Sequence, residues 1–485
     1  MKDKKPFYIT TTLPYVNADP HIGFALEIIQ ADALARYRRL TGDDVFFNTG
    51  TDEHGQKIFD VAKEAGRDVQ EYTDYYAAEF RKLKKILNLS NDTFIRTTDS
   101  AHHLAAQEMW KRCEKNGDIY LKEYEGLYCV GCEYFKAERD LENGKCMLHP
   151  NLELQKIKEE NYFFKFKNYE EKLLKQLSEP GSVIPDWRRE EAINFVKAGL
   201  EDFSVSREKK RLSWGIPVPG DENQVMYVWF DALTNYISTL GWPDDKDGNF
   251  KKFWDNGETL QVAGKDQVRF QSLMWQAMLM SADIKTTDRI FYHGFINSGG
   301  QKMSKSLGNV VSPLDIIGLF EGVTDFPEDV LRFVVLHDVP SFEDGDVTIE
   351  SIKTSYAGNL SNGLGNLVSR IMKMAETYLD TPVNIGERDA NETVEISMDK
   401  FNIKEAVDFI WKEISKLDEI IQKEEPFKVV KEDKEKGVKI ISGLVKNLFG
   451  VALDLEPFLP RTSLEIQKLI KENKMPEKPL FARLS

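Results

Sequence analysis

Four cysteines in 485 residues are too few for a disulfide-built scaffold. That scarcity excludes the small cross-linked secreted class, points to a reducing compartment and shifts attention to metal binding. Long apolar runs are missing too. Residues 333–336, behind Leu331, form one of the longest and break off within a few positions, far short of the roughly 20 that a bilayer-spanning helix needs. Residues 7–12 form a β-branched and aromatic run without the longer apolar core of a signal peptide, so a cytoplasmic protein without membrane contact is expected. An excess of basic charge is also absent. A formal charge of −15 excludes a general polyanion-coating surface, while leaving room for local basic patches that bind RNA. Residues 351–485 carry a net −1, so the acid is concentrated in the first 350 residues, at −14.

What is present is enough for more than one core: 41 % apolar and 30 % charged positions over this length suggest about three domains. Short β-rich runs at 7–12 and 44–48 alternate with helix-period stretches at 22–40 and 56–65, the βαβ signature of a parallel sheet. This is an α/β fold, and residues 1–115 read as the first half of a doubly wound domain. Residues 116–222, punctuated by Cys and Gly, read as an insertion ending in the Pro-Val-Pro-Gly turn at 217–220. Strand-like runs return at 225–229, 259–262 and 290–293, with a helical segment at 267–282, completing the sheet over 223–290. Residues 291–350 form a connecting region. After 350 amphipathic helical patterns, such as 360–379 and 408–421, predict an all-α bundle over 351–485.

Three constellations carry chemistry. Asp19-Pro20-His21-Ile22-Gly23-Phe24 lies between the first strand and the following helix, where helix N–H groups and the dipole's positive end favour phosphate. His21 would face a triphosphate there and Gly23 would let the nucleotide approach the backbone, although a histidine before a helix is also a common structural turn. Gly299-Gly300-Gln301-Lys302-Met303-Ser304-Lys305-Ser306-Leu307-Gly308-Asn309 is a glycine-hinged loop with two lysines three apart. It can close over polyphosphate and stabilise charge on departing pyrophosphate; in isolation it could equally be a solvated loop. Cys129-x2-Cys132-x13-Cys146-x2-His149 offers two knuckles able to surround one tetrahedral Zn²⁺. Four protein ligands leave no open position, so that metal would be structural, and Cys113 is left over as a core residue.

The paired His-Ile-Gly-Phe and Lys-Met-Ser-Lys-Ser elements, about 280 residues apart, resemble those of class I aminoacyl-tRNA synthetases. Thr10-Thr11-Thr12-Leu13-Pro14-Tyr15-Val16-Asn17, Asn48-Thr49-Gly50-Thr51-Asp52-Glu53-His54-Gly55, Tyr227-Val228-Trp229-Phe230-Asp231-Ala232 and Tyr292-His293-Gly294-Phe295 are similar, in order and spacing, to segments of the methionyl-tRNA synthetase family. The resemblance implies a Rossmann-like catalytic domain split by a single-knuckle insertion, and ATP-dependent ligation of L-methionine to tRNA(Met), with Mg²⁺ accompanying ATP. It implies that the Leu13 backbone and the Asp52 carboxylate hold the substrate α-amino group. Tyr15, Trp229, Ala232, Leu233, Tyr236 and Gln271 would enclose its side chain. Gly264 and Asp266 would contact the ribose, with His293 and Gly294 also at the nucleotide. Arg207 would face the reacting phosphates, and His21, Gly23, Lys302, Ser304 and Lys305 would serve catalysis. In the helical third, Asn366 and Arg370 share a helix face suited to anticodon bases, and Phe427 stands where the family usually stacks a tryptophan.

The chain departs from the family pattern at Phe24, where a second histidine is usual, at Gln271, where a histidine is frequent, and at Gln267, where an aliphatic residue is common. These changes are expected to tune the site rather than abolish it, since both loop lysines, Asp52 and the Cys129, Cys132, Cys146 and His149 set are kept. A non-catalytic RNA-binding module and a small-molecule nucleotidyltransferase are the competing readings. The first is disfavoured by the intact lysine loop, the second by the helical third. No appended β-barrel tRNA-binding domain is expected after the bundle, and a monomer is expected.

Overall fold

The computed structural model describes residues 4–136, 140–303, 310–386 and 391–484. The chain divides into two compact units: Met1–Asp19, Gly42–Lys84 and Asn91–Tyr292 form the first, and Pro20–Thr41, Lys85–Ser90 and His293–Ser485 the second.

The first unit is built on a six-stranded sheet with Pro6–Thr11 near its centre. This strand pairs in parallel with Asp44–Thr51 on one side and Glu258–Gly264 on the other. Thr93–Arg96 extends one flank; Arg289–His293 and Val183–Ile184 extend the other. Its β-branched and aromatic residues are buried because a parallel strand is covered on both faces. Polar groups inside the sheet are paired: Thr11 Oγ1 donates to Thr49 Oγ1 (2.9 Å), and Asn48 Nδ2 donates to Thr10 Oγ1 (3.0 Å). The carboxyl ends of three neighbouring strands therefore deliver Leu13, Asp52 and Gly264 to one edge, where open parallel sheets bind ligands.

Residues 225–229 do not form one strand. The strand Asp221–Met226 ends there, and the helix Val228–Leu233 begins after Tyr227, followed by Asn235–Ser238. The reason lies in the side chains that follow: positions 229, 232, 233 and 236 recur at the helical interval, which puts them on one face. The insertion forms an antiparallel sheet in which Ile119–Cys129 pairs with Gln155–Phe164 and Tyr134–Lys136. A hairpin of Leu141–Glu142 and Lys145–Cys146 turns through Asn143 and Gly144, both at positive φ.

In the second unit, the helix Ile22–Leu40 matches the predicted bounds. It is buried nearly all round, including the polar Glu27, Gln30 and Asp32. The predicted C-terminal helices are present as Asn366–Tyr378, Glu392–Asp399, Ile403–Glu424, Pro426–Glu432, Lys434–Leu455 and Pro460–Glu472. Their apolar stripes supply a core that includes Ile371, Ile410, Leu448 and Ile466. The fold is thus mixed α/β, with a central parallel sheet and a helical C-terminal region.

Candidate active site and metal centre

A cavity of about 210 Å³ opens in the first unit beside the ends of Pro6–Thr11 and Asp44–Thr51. Leu13, Tyr15, Asp52, Trp229, Ala232, Leu233, Tyr236 and Gln271, dispersed over 259 positions of sequence, all line it, joined by Asn235 and Gln267. Trp229 stacks on Phe270 (centroids 3.8 Å apart, planes at 15°) and meets Tyr15 edge-on at 6.4 Å. At the floor, Gln271 Nε2 donates to Tyr236 Oη (2.7 Å), and Gln271 Oε1 accepts from Gln261 Nε2 (3.1 Å). The glutamine that departs from the family pattern therefore bridges the aromatic Tyr236 and the strand residue Gln261 through the two ends of its amide.

Asp52 is the electrostatic focus of this cavity. Its carboxylate is 3 % exposed and pairs with no cation among the described residues; one oxygen accepts from the His54 backbone N–H at 3.4 Å. Burial, reinforced by the nearby carboxylates of Asp231 and Glu133, holds its pKa well above the ordinary range. A bound ammonium group would relieve that penalty.

His54 and Asp231 stand inside sequence motifs that assign them no role, and His102 lies outside every motif. Asp231 Oδ2 lies 2.6 Å from His54 Nδ1, and Oδ1 lies 2.8 Å from His102 Nε2, whose Nδ1 meets Ser238 Oγ at 2.8 Å. Burial alone would raise the Asp231 carboxyl, yet the two imidazoles hold it below the usual range. This network ties the turn after Asp52 to the helix carrying Trp229, Ala232 and Leu233. Motif adjacency was the available signal for two of its members, and His102, on Ser100–Lys115, had none.

The residues expected at ATP fall in both units. In the first, Gly264 ends its strand and Asp266 is exposed on the turn Lys265–Gln267. In the second, His21 caps Ile22–Leu40: its Nδ1 accepts from the Gly23 N–H at 3.1 Å. Burial lowers the pKa of this imidazole, and an accepting Nδ1 leaves the proton of the neutral ring on Nε2. A Cβ at Gly23 would sit 2.9 Å from His21 Cε1, so a larger residue there requires the imidazole to shift. His293 Nε2 lies 3.0 Å from Glu27 Oε2, and Gly294 lies against the backbone of Glu343. Lys302 ends a hairpin in which Ile296–Ser298 pairs with Gln301–Lys302 across Gly299-Gly300. Ser304 and Lys305 lie outside the described residues.

Arg207 differs from the expectation. Instead of facing an open phosphate site, it is 4 % exposed, with its guanidinium 4.4 Å from the centroid of Tyr227 and close to Tyr128 and Phe135. Its Nη1 donates to Ser204 Oγ (2.8 Å) and to the Ser206 carbonyl (2.7 Å). Cation–π contact and these acceptors hold it as a core cation.

Cys129, Cys132, Cys146 and His149 converge so that their ligand atoms all lie within 4.8 Å of one another. Cys132 Sγ is 3.5 Å from Cys146 Sγ and 3.2 Å from His149 Nδ1, and Cys129 Sγ is 3.8 Å from the same nitrogen. A tetrahedron with metal–sulfur bonds of about 2.3 Å has edges of about 3.8 Å, so the donor set fits a single metal ion. Cys113 is fully buried against Met109.

In the helical region Asn366 is exposed at the start of Asn366–Tyr378, Arg370 on the same helix pairs with Asp418, and Phe427 is 40 % exposed.

The family model for class I tRNA synthetases (M) matches residues 7–148 and 136–372. The methionine-tRNA ligase of Clostridium acetobutylicum is 40 % identical over 96 % of this chain and 73 % of its own length. That of Rhizobium meliloti is 39 % identical over 97 % and 92 %. The solved Mycobacterium tuberculosis methionyl-tRNA synthetase in complex with methionyl-adenylate superposes with a TM-score of 0.89 at 34 % identity, covering 99 % of this chain and 100 % of that one. Motif order, parallel-sheet fold, aromatic cavity and these similarities agree, and the chain belongs to the methionyl-tRNA synthetase family of class I aminoacyl-tRNA synthetases.

Proposed function

We propose that this chain is a methionine-tRNA ligase: it activates L-methionine with ATP to methionyl-adenylate, releases pyrophosphate, and transfers the methionyl group to the 3′-terminal adenosine of tRNA(Met). The observation that carries the proposal is the buried Asp52, with no cation partner among the described residues, in the wall of an aromatic cavity. An ammonium group there neutralises a costly carboxylate, and the aromatic walls suit an unbranched, polarizable thioether.

In the first step the methionine carboxylate, already ionised, attacks the α-phosphorus of ATP and pyrophosphate leaves, so no side-chain base is required. Asp52 and the Leu13 backbone orient the amino group. Tyr15, Trp229, Ala232, Leu233, Tyr236 and Gln271 hold the side chain. Gly264 and Asp266 serve the ribose, and His293 with Gly294 the nucleotide. His21, through its Nε2–H, and Gly23 serve the phosphates, with Lys302, Ser304 and Lys305 stabilising departing charge. Mg²⁺ bound with ATP would supply further neutralisation of the phosphates. In the second step the 2′-hydroxyl of the terminal adenosine attacks the adenylate carbonyl and AMP leaves. Arg207 has a packing role here.

Zn²⁺ is the ion proposed for Cys129, Cys132, Cys146 and His149, where it would cross-link the knuckle without chemistry of its own. The domains proposed are two catalytic segments, 1–115 and 223–290, with the knuckle insertion 116–222 between them. The connecting region 291–350 would contact the tRNA stem, and the bundle 351–485 would read the anticodon through Asn366, Arg370 and Phe427. A cytoplasmic monomer completes the proposal. Charging of a tRNA(Met) transcript with labelled methionine tests it: acid-stable methionyl-tRNA is expected, and loss of charging when the anticodon is replaced. A folded, metal-loaded chain that charges no tRNA contradicts it.

A further inference from the structure

One group of the knuckle meets a residue of the cavity wall, and another the helix that follows the turn after Asp52. Glu133 follows the ligand Cys132, at φ 52, and is 1 % exposed. Its Oε2 accepts from the Gln56 N–H at 2.9 Å and its Oε1 from the Lys57 N–H at 2.6 Å. These are the first N–H groups of the helix Gln56–Glu64, whose own N-cap, Gly55, has no side chain to offer. A carboxylate from the insertion therefore caps, with charge matched to the helix dipole, a helix that starts four residues after Asp52. Gly55 sits at φ 107, and a Cβ there would lie 2.7 Å from Glu133 Oε1; the turn is shaped around the carboxylate. The second group is the Cys132 carbonyl, which accepts from Trp229 Nε1 at 3.4 Å.

The Asp52 carboxylate has one hydrogen-bond donor among the described residues, the His54 N–H in this same turn. The turn from Asp52 to Gly55 is held at one end by the sheet edge, where Asp52 N donates to the Pro14 carbonyl (3.0 Å), and at the other by Glu133. We propose that Glu133 is a positioning residue for methionine, fixing Asp52 through the 52–55 turn and making the metal knuckle part of the pocket wall. This rests on reading the cavity as the methionine pocket.

The test is Glu133→Gln in the full, metal-loaded chain, with Glu133→Asp beside it. Glutamine keeps the volume but turns an amide donor toward one of the two backbone N–H groups. Aspartate keeps the charge but reaches only one of them. For Glu133→Gln, the methionine Kd by titration calorimetry and the methionine KM in ATP-pyrophosphate exchange are expected to rise by about 10-fold or more, as loss of a charged buried acceptor does. The kcat, the KM for ATP and one metal per chain should be retained, and Glu133→Asp should fall between variant and wild type. Should Glu133→Gln fail to fold, the methionine Kd of Glu133→Asp alone is read, and a wild-type value overturns the proposal. A folded Glu133→Gln chain with wild-type methionine affinity also overturns it. So does weakened binding that disappears when lost metal is restored, which assigns Glu133 to the knuckle alone. Wild-type chain that binds no methionine removes the pocket reading itself, an outcome distinct from a variant that matches a binding-competent wild type.

Discussion

Asp52 shows how a single residue can be both legible and underdetermined. Its run, Thr51-Asp52-Glu53-His54-Gly55, marks it in the sequence, but only the fold reveals that it is buried, without a counter-cation among the described residues, and near the carboxylates of Asp231, Glu133 and Glu53. Asp52→Asn keeps the shape and removes the charge that an ammonium needs. Methionine kcat/KM in pyrophosphate exchange should fall by about 100-fold, as when a charged hydrogen bond is lost, with the KM for ATP little changed. Asp231 was not legible in the same way. Its partners His54 and His102 stand 177 and 129 positions away, and an ion pair that closes across the fold leaves no periodic trace. Arg207 shows the complementary limit: a family position supplies a residue type, whereas packing against Tyr227, Tyr128 and Phe135 sets where the guanidinium lies.

At the scale of elements, cysteine spacing points to the four residues that the structure brings together, because a knuckle is a local structure, closed within a few residues. The Leu141–Glu142 and Lys145–Cys146 hairpin, turning at Asn143 and Gly144, brings the second pair to the first. Metal analysis of purified chain should find one zinc per chain. Cys146→Ala should lose it, with faster hydrogen exchange over residues 129–149 and an unchanged rate in Pro6–Thr11; absence of zinc in the wild type would refute the four-ligand assignment. The run 225–229 looks like a strand because its composition is β-branched and aromatic, while the helical interval of 229, 232, 233 and 236 becomes decisive only when the cavity they line is known. Long periodic helices such as Ile22–Leu40 and Ile403–Glu424 were the easiest to read.

For the whole molecule, the order of elements was legible, but the grouping of Pro20–Thr41 with His293–Ser485 was not. One of the links is Arg332, fully buried: its Nη1 donates to Asp32 Oδ2 (2.7 Å), and its remaining nitrogens donate to the carbonyls of Phe458 (2.6 Å) and Pro457 (3.0 Å). Asp32 and Arg332 are 300 positions apart, and periodicity tells which face is buried, not against what. Burial pushes the Asp32 carboxyl up, but Arg332, Arg36 and Ser90 outweigh it and hold its pKa below the ordinary value. A carboxyl depressed in the folded state stabilises above its unfolded pKa, near 4, and that contribution is lost as pH falls through the folded value. Asp32→Asn should therefore lower stability at pH 7 by about 3–5 kcal/mol, the usual cost of breaking a buried pair, and thermal melts of variant and wild type should converge below about pH 4. A pH-independent gap would contradict the ionic account. The most direct test of the central claim is ATP-pyrophosphate exchange, without tRNA, with each of the twenty amino acids offered singly. Exchange with methionine alone is the expected result; exchange with none, or with a different amino acid, would contradict the assignment of this cavity to methionine.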